Sequence, residues 1–410
     1  MKKYKLFLST ALFLSSLGIS AVAEVQPPPA VQGACQNHES FESWLQQFKQ
    51  DAKRGGISQQ TLDLVASELI FNPEVIKRDR SQNVFQQTFL QFADRMASDY
   101  RRQGAIKRIT VTNKDLFSRV EKDFGVPPEL LTAFWALESD FGASTGKFKI
   151  LSAVTTLAYD CRRSDKFRAQ ALDALRLVQR GDIKPEEMVG NWAGELGGTQ
   201  FMASDYLESG TDYDQDGKVN LVKSIPDTMA TSANYLVKKG WKSGEPWMQE
   251  VKVPDYMAWE EADITIQHSK NQWKEMGVKP LNGKWASENL ESSLILPMGR
   301  LGPAFLVYPN FRIILAWNES VTYSTTAAYL ALRIAGAPAM QRGSDNIKTL
   351  SLDQGKELQT YLVNHNFNIG PIDGKLGTAT RVAVKQLQLQ LKIPADSYPT
   401  LELLEAIRRK

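Results

Sequence analysis

Cysteine is nearly absent: 410 residues hold two, Cys35 and Cys161. Long apolar runs are also scarce. Only Leu6–Ile19 comes close, and it is too short to span a bilayer comfortably, so no transmembrane segment is expected. That run follows the basic Lys2, Lys3 and Lys5 and precedes the small residues Ala21-Val22-Ala23. Residues 1–23 therefore read as a secretory signal peptide, removed on export. Net charge is missing too. The full chain has 49 basic and 46 acidic residues, and loss of the leader leaves 46 of each. No long basic stripe with interleaved aromatics is present, which argues against nucleic acid as a partner. In an exported chain, two cysteines favour a Cys35–Cys161 disulfide over a metal site. Lipidation of Cys35 after "VQGA" is the rival reading, although Cys35 lies well past the apolar run and behind Pro27-Pro28-Pro29.

What is there is ordinary for a globular protein with a sizeable core: 42% hydrophobic and 23% charged residues, at a length that suggests two or three domains. Residues 24–39 are Pro-rich at first and read as a linker. From Phe41 to about Gln103 apolar residues recur at helical spacing (Phe41, Trp44, Leu45, Phe48, then Leu62, Val65, Leu69). A helix is expected over Thr112–Gly125, and "GVPPELL" opens the next with Pro in its first turn. Further helices are expected at Phe167–Arg180, Pro185–Val189, Ile225–Lys239 and Ser324–Ala335. Ser224 and Asp227 are spaced as a capping box with Asp in place of Glu. Between residues 245 and 315, "EVKVP" and "DITIQ" alternate as strands do. Gly336–Asn346 reads as an exposed linker, and residues 351–410 as a compact tail of three helices.

One stretch, "LLTAFWALESDFGAS" (Leu130–Ser144), puts an acid in apolar company. On a helix, Leu131, Phe134 and Trp135 share the side where Glu138 points. Lost hydration raises the pKa of such a carboxyl, and a proton held near neutral pH can be donated to a leaving oxygen. Spacing alone leaves a second reading open: a helix-end glutamate that faces water or pairs with an arginine. A second acidic feature is "DYDQDGKVNL", with Asp212, Asp214, Asp216 and Gly217. Alternate oxygens before Gly match the first half of an EF-hand-type loop, but the twelfth position is Lys223, not Glu. A calcium-responsive protein would need a second such loop, and none is found.

Three segments together resemble the lytic murein transglycosylase B family. "ALESDFG" resembles its Glu-Ser-x-aromatic-Gly motif. "NWAGELGGTQFMASDY" (Asn191–Tyr206) resembles its second signature, and "AWNESVTYSTTAAYLALRIAG" (Ala316–Gly336) its third. They stand in the family's order across roughly residues 40–340, which makes the resemblance specific. It implies a mainly α (α+β) fold: a lysozyme-like catalytic domain at 40–338 with a small strand-containing subdomain, a linker at 339–350, and a three-helix peptidoglycan-binding domain at 351–410. It implies cleavage of the MurNAc–GlcNAc bond of peptidoglycan in the bacterial periplasm, with glycan strands as the partner. Proteins of wall synthesis or division are further partners that fit that setting. No organic cofactor is implied.

By that resemblance Glu138 is the single catalytic residue, acid first and base afterwards. The MurNAc C6 hydroxyl would close onto C1 and leave a 1,6-anhydro end. The usual glycosidase scheme uses two carboxylates, and Glu195 is the candidate second. Ser139, Asn191, Gln200, Phe201, Met202, Tyr235, Trp317, Asn318, Ser320 and Tyr323 fall on substrate-binding positions. Asn191 stands where relatives have Ser, and an amide there can donate toward Glu138. Ala203 replaces a Pro, which leaves the loop shape open. Trp317 replaces a Tyr and keeps a ring able to stack on a sugar. For each aromatic, core packing is the competing reading. The resemblance also lengthens the acidic loop: Asp212, Asp214, Asp216, the Lys218 carbonyl and Asp227 would hold a structural Ca²⁺, unless Asp227 only caps the next helix. In the tail, Asp373-Gly374 and Gly377-x-x-Thr380 match the turn of the binding domain, whereas "PADSYPTLELLEAI" departs from it. Two rivals remain: a muramidase that uses water on the same bond, and a non-catalytic wall-binding protein.

Overall fold

The computed structural model describes residues 37, 39–81, 87–344 and 347–409. The expected signal peptide, most of the expected 24–39 linker and Cys35 lie outside the described residues, and Cys161 is disulfide-bonded.

The first helices are short and amphipathic: α1 (Phe41–Arg54), α2 (Gln59–Leu64), α3 (Pro73–Arg80), α4 (Phe89–Met96) and α5 (Asp99–Lys107). Most start on a side-chain cap, such as Ser40, Ser58, Asn72, Thr88 and Ser98, which satisfies a backbone N–H that the helix cannot. A π-helical turn, Arg108–Thr112, leads into α6 (Lys114–Phe124). Gly125 ends α6 at φ 65°, where a side chain would be strained. Pro127 and Pro128 then start α7 (Pro128–Ser139), as the sequence predicts.

Helix α7 is buried nearly all round, from Leu130 to Leu137. It is the axis of the main core. Packed around it are α5, α6, α11 (Ile225–Lys238) and α14 (Val321–Ile334). Helices α8 (Ile150–Tyr159) and α9 (Ser164–Arg180) pair with each other beside it, and α10 (Ala203–Ser209) lies on α9. Strands β1 (Phe148–Lys149) and β2 (Val189–Gly190) form a small antiparallel ladder with Phe148 opposite Gly190. The expected helix at Pro185–Val189 is one turn, Pro185–Glu187, before the chain extends into β2.

A second core belongs to the strand-containing subdomain. Its sheet runs β4-β3-β6-β5, all antiparallel, from β3 (Met248–Lys252), β4 (Lys279–Pro280), β5 (Ser293–Ile295) and β6 (Ala304–Val307). Trp273 on α12 (Lys270–Glu275) and Leu306 are fully buried there. "EVKVP" supplies β3, but "DITIQ" is a turn. Asp263 Oδ1 accepts from Thr265 N at 2.9 Å and Thr265 Oγ1 at 2.7 Å, so the aspartate satisfies its own backbone and displaces strand pairing.

The tail has its own core around Leu358, Val384 and Leu404, built by α15 (Leu352–Asn364), α16 (Thr378–Leu391) and α17 (Leu401–Arg408). It packs on the strand subdomain: Arg300 N donates to Asp396 Oδ2 at 2.9 Å, and Lys385 pairs with Asp263 at 3.1 Å. The segment before it is mostly exposed and irregular among its described residues, but it is tied down at several points. Met340 is buried, Gln341 N donates to Glu250 at 2.7 Å, and Arg342 forks onto Asp94 with both contacts at 2.9 Å.

Candidate active site

Glu138 occupies the last turn of α7. Past it, Asp140, Phe141 and Gly142 adopt left-handed conformations at φ 52°, 62° and 88°, turning the chain sharply out of the helix. Asp140 N and Phe141 N return to Ala136 O and Trp135 O, each at 3.1 Å, so the end is tightly closed. A carboxylate here faces the negative end of the helix dipole as well as an apolar wall.

That wall comes from α13 (Pro309–Trp317) and α14. Trp317 stacks on Phe134 with ring centres 4.1 Å apart and planes 10° from parallel. Behind it stand Phe201 and Tyr235, at 5.1 Å and 5.4 Å from the Trp317 ring. Both are buried, and Tyr235 Oη donates to Ala316 O at 3.1 Å. They hold the indole in place rather than offer a free face to a ligand. The indole then does what the sequence does not reveal: Nε1 donates to Glu138 Oε1 at 3.0 Å. Tyr323 Oη donates to the same oxygen at 2.5 Å. Ser320 positions that tyrosine by capping α14, its Oγ accepting from Tyr323 N at 3.3 Å, while Asn318 Oδ1 accepts from Ser320 N at 3.0 Å.

Burial pushes the Glu138 carboxyl up to about 7, against the pull of the Tyr323 and Trp317 donors. Glu195 adds a further upward push through its charge. Desolvation wins because the phenol and indole serve one oxygen and supply no positive charge. Tyr323 is itself buried beside the acid, which raises its own pKa and keeps it a donor.

The second signature forms the loop between β2 and α10. Ser139 is buried, and its hydroxyl donates to Gly198 O at 2.5 Å and accepts from Gly142 N at 2.9 Å. It pins this loop to the end of α7, so the expected substrate contact is replaced by an internal one. Asn191 does not reach toward Glu138. Its amide donates to Glu195 Oε2, and its Oδ1 accepts from Ala193 N at 2.9 Å and Glu195 N at 3.1 Å. Four residues separate the pair, and the tight loop folds one onto the other. A Cβ on Gly190 would sit 2.0 Å from Glu195 O, so only glycine allows that fold. Burial raises the Glu195 pKa as well, opposed by Asn191 and by Lys166. Gln200 takes φ 54° and ties Thr145 O to Gly197 O with its amide, at 3.2 Å and 2.9 Å. Met202 precedes α10 without capping it and packs with Trp192 on a small apolar cluster. Ala203 takes the first helical position of α10, a position that also accepts proline.

In the acidic loop, Asp212, Asp214 and Asp227 each bring a carboxylate oxygen within 4.8 Å of the others. Asp227 is fully buried. Its oxygens accept from Tyr213 N at 2.8 Å and Asn220 N at 2.7 Å, so it braces the loop from the start of α11. The capping box is therefore half formed: Ser224 Oγ accepts from Asp227 N at 3.2 Å, and the carboxylate goes elsewhere. Asp216 stays outside the group, accepting from Lys218 N at 2.9 Å.

Comparisons with known proteins follow the same lines. The transglycosylase SLT domain model matches residues 40–332, and a peptidoglycan binding domain model matches residues 352–407. Membrane-bound lytic murein transglycosylase B of Escherichia coli is 28% identical over 225 residues, 54% of this chain and 61% of that relative, so the match spans less than two thirds of its length. SltB3 of Pseudomonas aeruginosa, solved in complex with NAG-anhNAM-pentapeptide, superposes with a TM-score of 0.84 at 34% identity, covering 90% of this chain and all of that one. Escherichia coli Slt35, solved in complex with calcium, shares the fold at a TM-score of 0.62 and 24% identity over 71% of this chain and 92% of that one. The chain belongs to the transglycosylase SLT family, has its mainly helical, lysozyme-like fold, and ends in a peptidoglycan binding domain.

Proposed function

We propose that this protein is an exported lytic transglycosylase that cleaves the β-1,4 bond between MurNAc and GlcNAc and leaves a 1,6-anhydro-MurNAc end. One observation carries the reading: Glu138 is a carboxyl held near pKa 7 with both of its donors on Oε1. The transferable proton then belongs on Oε2, which passes it to the glycosidic oxygen as the bond to C1 breaks. The charge left on the carboxylate falls on the oxygen that Tyr323 and Trp317 already face, an arrangement set before the reaction starts. The same carboxylate next takes the proton of the MurNAc C6 hydroxyl as that oxygen bonds to C1. The proton balance closes on Glu138, and no water is consumed. The SltB3 complex with an anhydro muropeptide agrees with this product class.

The tail supplies binding to the sacculus, and export to the periplasm follows from the signal peptide. In the acidic loop, three close carboxylates fit a Ca²⁺, with Asp212, Asp214 and Asp227 as side-chain ligands and the Lys218 carbonyl and Asp216 as further candidates. The ion would supply charge neutralisation and hold the loop to α11. Heat of calcium binding after EDTA treatment tests this, and a flat titration removes the ion from the account.

Digestion of purified sacculi tests the main reading. Products one water lighter than hydrolysed ends are expected. Full-mass reducing ends would instead favour water attack with Glu195 as the base.

A further inference from the structure

Beside the end of the catalytic helix lies a small cavity that the mechanism does not use. It has a volume of about 150 Å³, enough to admit several waters or a small ligand group. Trp135, Phe141, Gly142, Gly198 and Val222 are among its walls. Trp135 is 5% exposed, and its indole N–H meets no acceptor among the described residues. The indole nitrogen lies against the cavity wall: a Cβ added at Gly198 would sit 3.0 Å from it, and one at Gly142 3.8 Å. The Trp135 indole N–H therefore faces the cavity as a free donor, available to an acceptor that enters it.

The cavity shares Lys223, Ser224 and Ile225 with a larger cleft of about 700 Å³, between the π-helical turn and the start of α11. That size lies inside the roughly 300–1,000 Å³ range of ligand sites. Charge there is balanced, Lys114 and Lys223 against Asp115 and Asp214, and Lys223 already pairs with Glu187 at 2.5 Å. A neutral, hydroxyl-rich ligand suits such a lining better than an anion. The inner cavity asks for a small group with one strong acceptor and an apolar end, set against Phe141 and Val222. An acetamido group has both.

We propose that these joined spaces form a second saccharide site, in which a GlcNAc unit lies in the larger cleft and its acetamido oxygen accepts from Trp135 Nε1. The proposal rests on the glycan-cleaving reading for its choice of sugar. None of the residues that bond Glu138 lines this space. Trp135 stands one turn before Glu138 on α7, so occupancy would brace the end of the catalytic helix.

Two indole N–H signals in one nitrogen-correlated NMR spectrum test it. Trp317 reports the groove and Trp135 the new site, each assigned by its Trp→Phe variant. Titration of the full chain with N,N′-diacetylchitobiose should move the Trp135 signal, whereas cellobiose, which lacks acetamido groups, should leave it in place. Val222→Phe, which fills the cavity, should abolish the Trp135 shift or weaken its dissociation constant by about tenfold or more, a loss of ~1.4 kcal/mol. It should keep the Trp317 response and sacculus digestion. A Trp135 signal that ignores chitobiose, follows cellobiose equally, or still shifts in a folded Val222→Phe overturns the site. A Trp317 signal that never responds speaks against the groove instead, so the two failures are told apart.

Discussion

Glu138 and Glu195 are both buried acids, and they are built differently. Glu138 ends a rigid helix and meets a phenol and an indole on one oxygen. Glu195 sits on a glycine-rich loop and is held by the amide and backbone of Asn191, four residues away. Burial lifts both pKa values, but Lys166 pulls Glu195 down through space, and no cation does so for Glu138. The difference teaches that burial alone does not make an acid catalyst. What counts is a fixed direction and donors that cannot neutralise the charge.

The comparison breaks first at Glu138→Gln. This change keeps shape and removes the proton, so muropeptide release should fall about 10²–10⁴-fold while sacculus binding persists. An equal loss in Glu195→Gln would erase the distinction between the two acids. The same substitution should show in stability. A folded pKa near 7 lies above the ordinary 4.5, so the unfolded chain releases its proton first and wild-type stability falls as pH rises from 4.5 to 7. Glu138→Gln escapes that fall and should exceed wild type by roughly 3 kcal/mol above pH 7 in denaturant titrations.

Tyr323→Phe should lower the turnover rate by roughly tenfold to a hundredfold. It removes a donor that favours the carboxylate, so the alkaline limb of the pH–rate profile should move upward. Asp227→Ala leaves backbone N–H groups of the acidic loop unpaired and should cost about 1–3 kcal/mol in thermal unfolding, with loss of any calcium effect on the melting temperature. The smallest effect is expected for Glu195→Gln, within about tenfold in rate. Its alkaline limb should move down, because the negative charge that helps keep Glu138 protonated is gone.

Much of this site is legible in the residues, for physical reasons. Gly125, Pro127 and Pro128 mark the start of α7, and its unbroken apolar run can be satisfied only by burial. An acid in the last turn of such a helix has few ways to stay wet. The partners of Glu138 are harder to read, because Trp317 and Tyr323 reach it from 179 and 185 residues away. Local pattern also misleads where a short polar side chain folds back. Asp263 turns an alternating run into a turn, and Asn191 chooses a neighbour four residues on. Composition marks 336–346 as a linker, yet Arg342 and Met340 seat it against the body of the protein.

The most direct test is a titration of the Glu138 side-chain carbon by NMR, with the Glu138→Gln spectrum for assignment. A midpoint close to 7 is predicted, the value at which burial outweighs both donors. A midpoint near 4.5, the ordinary value for a solvated glutamate, would contradict the account.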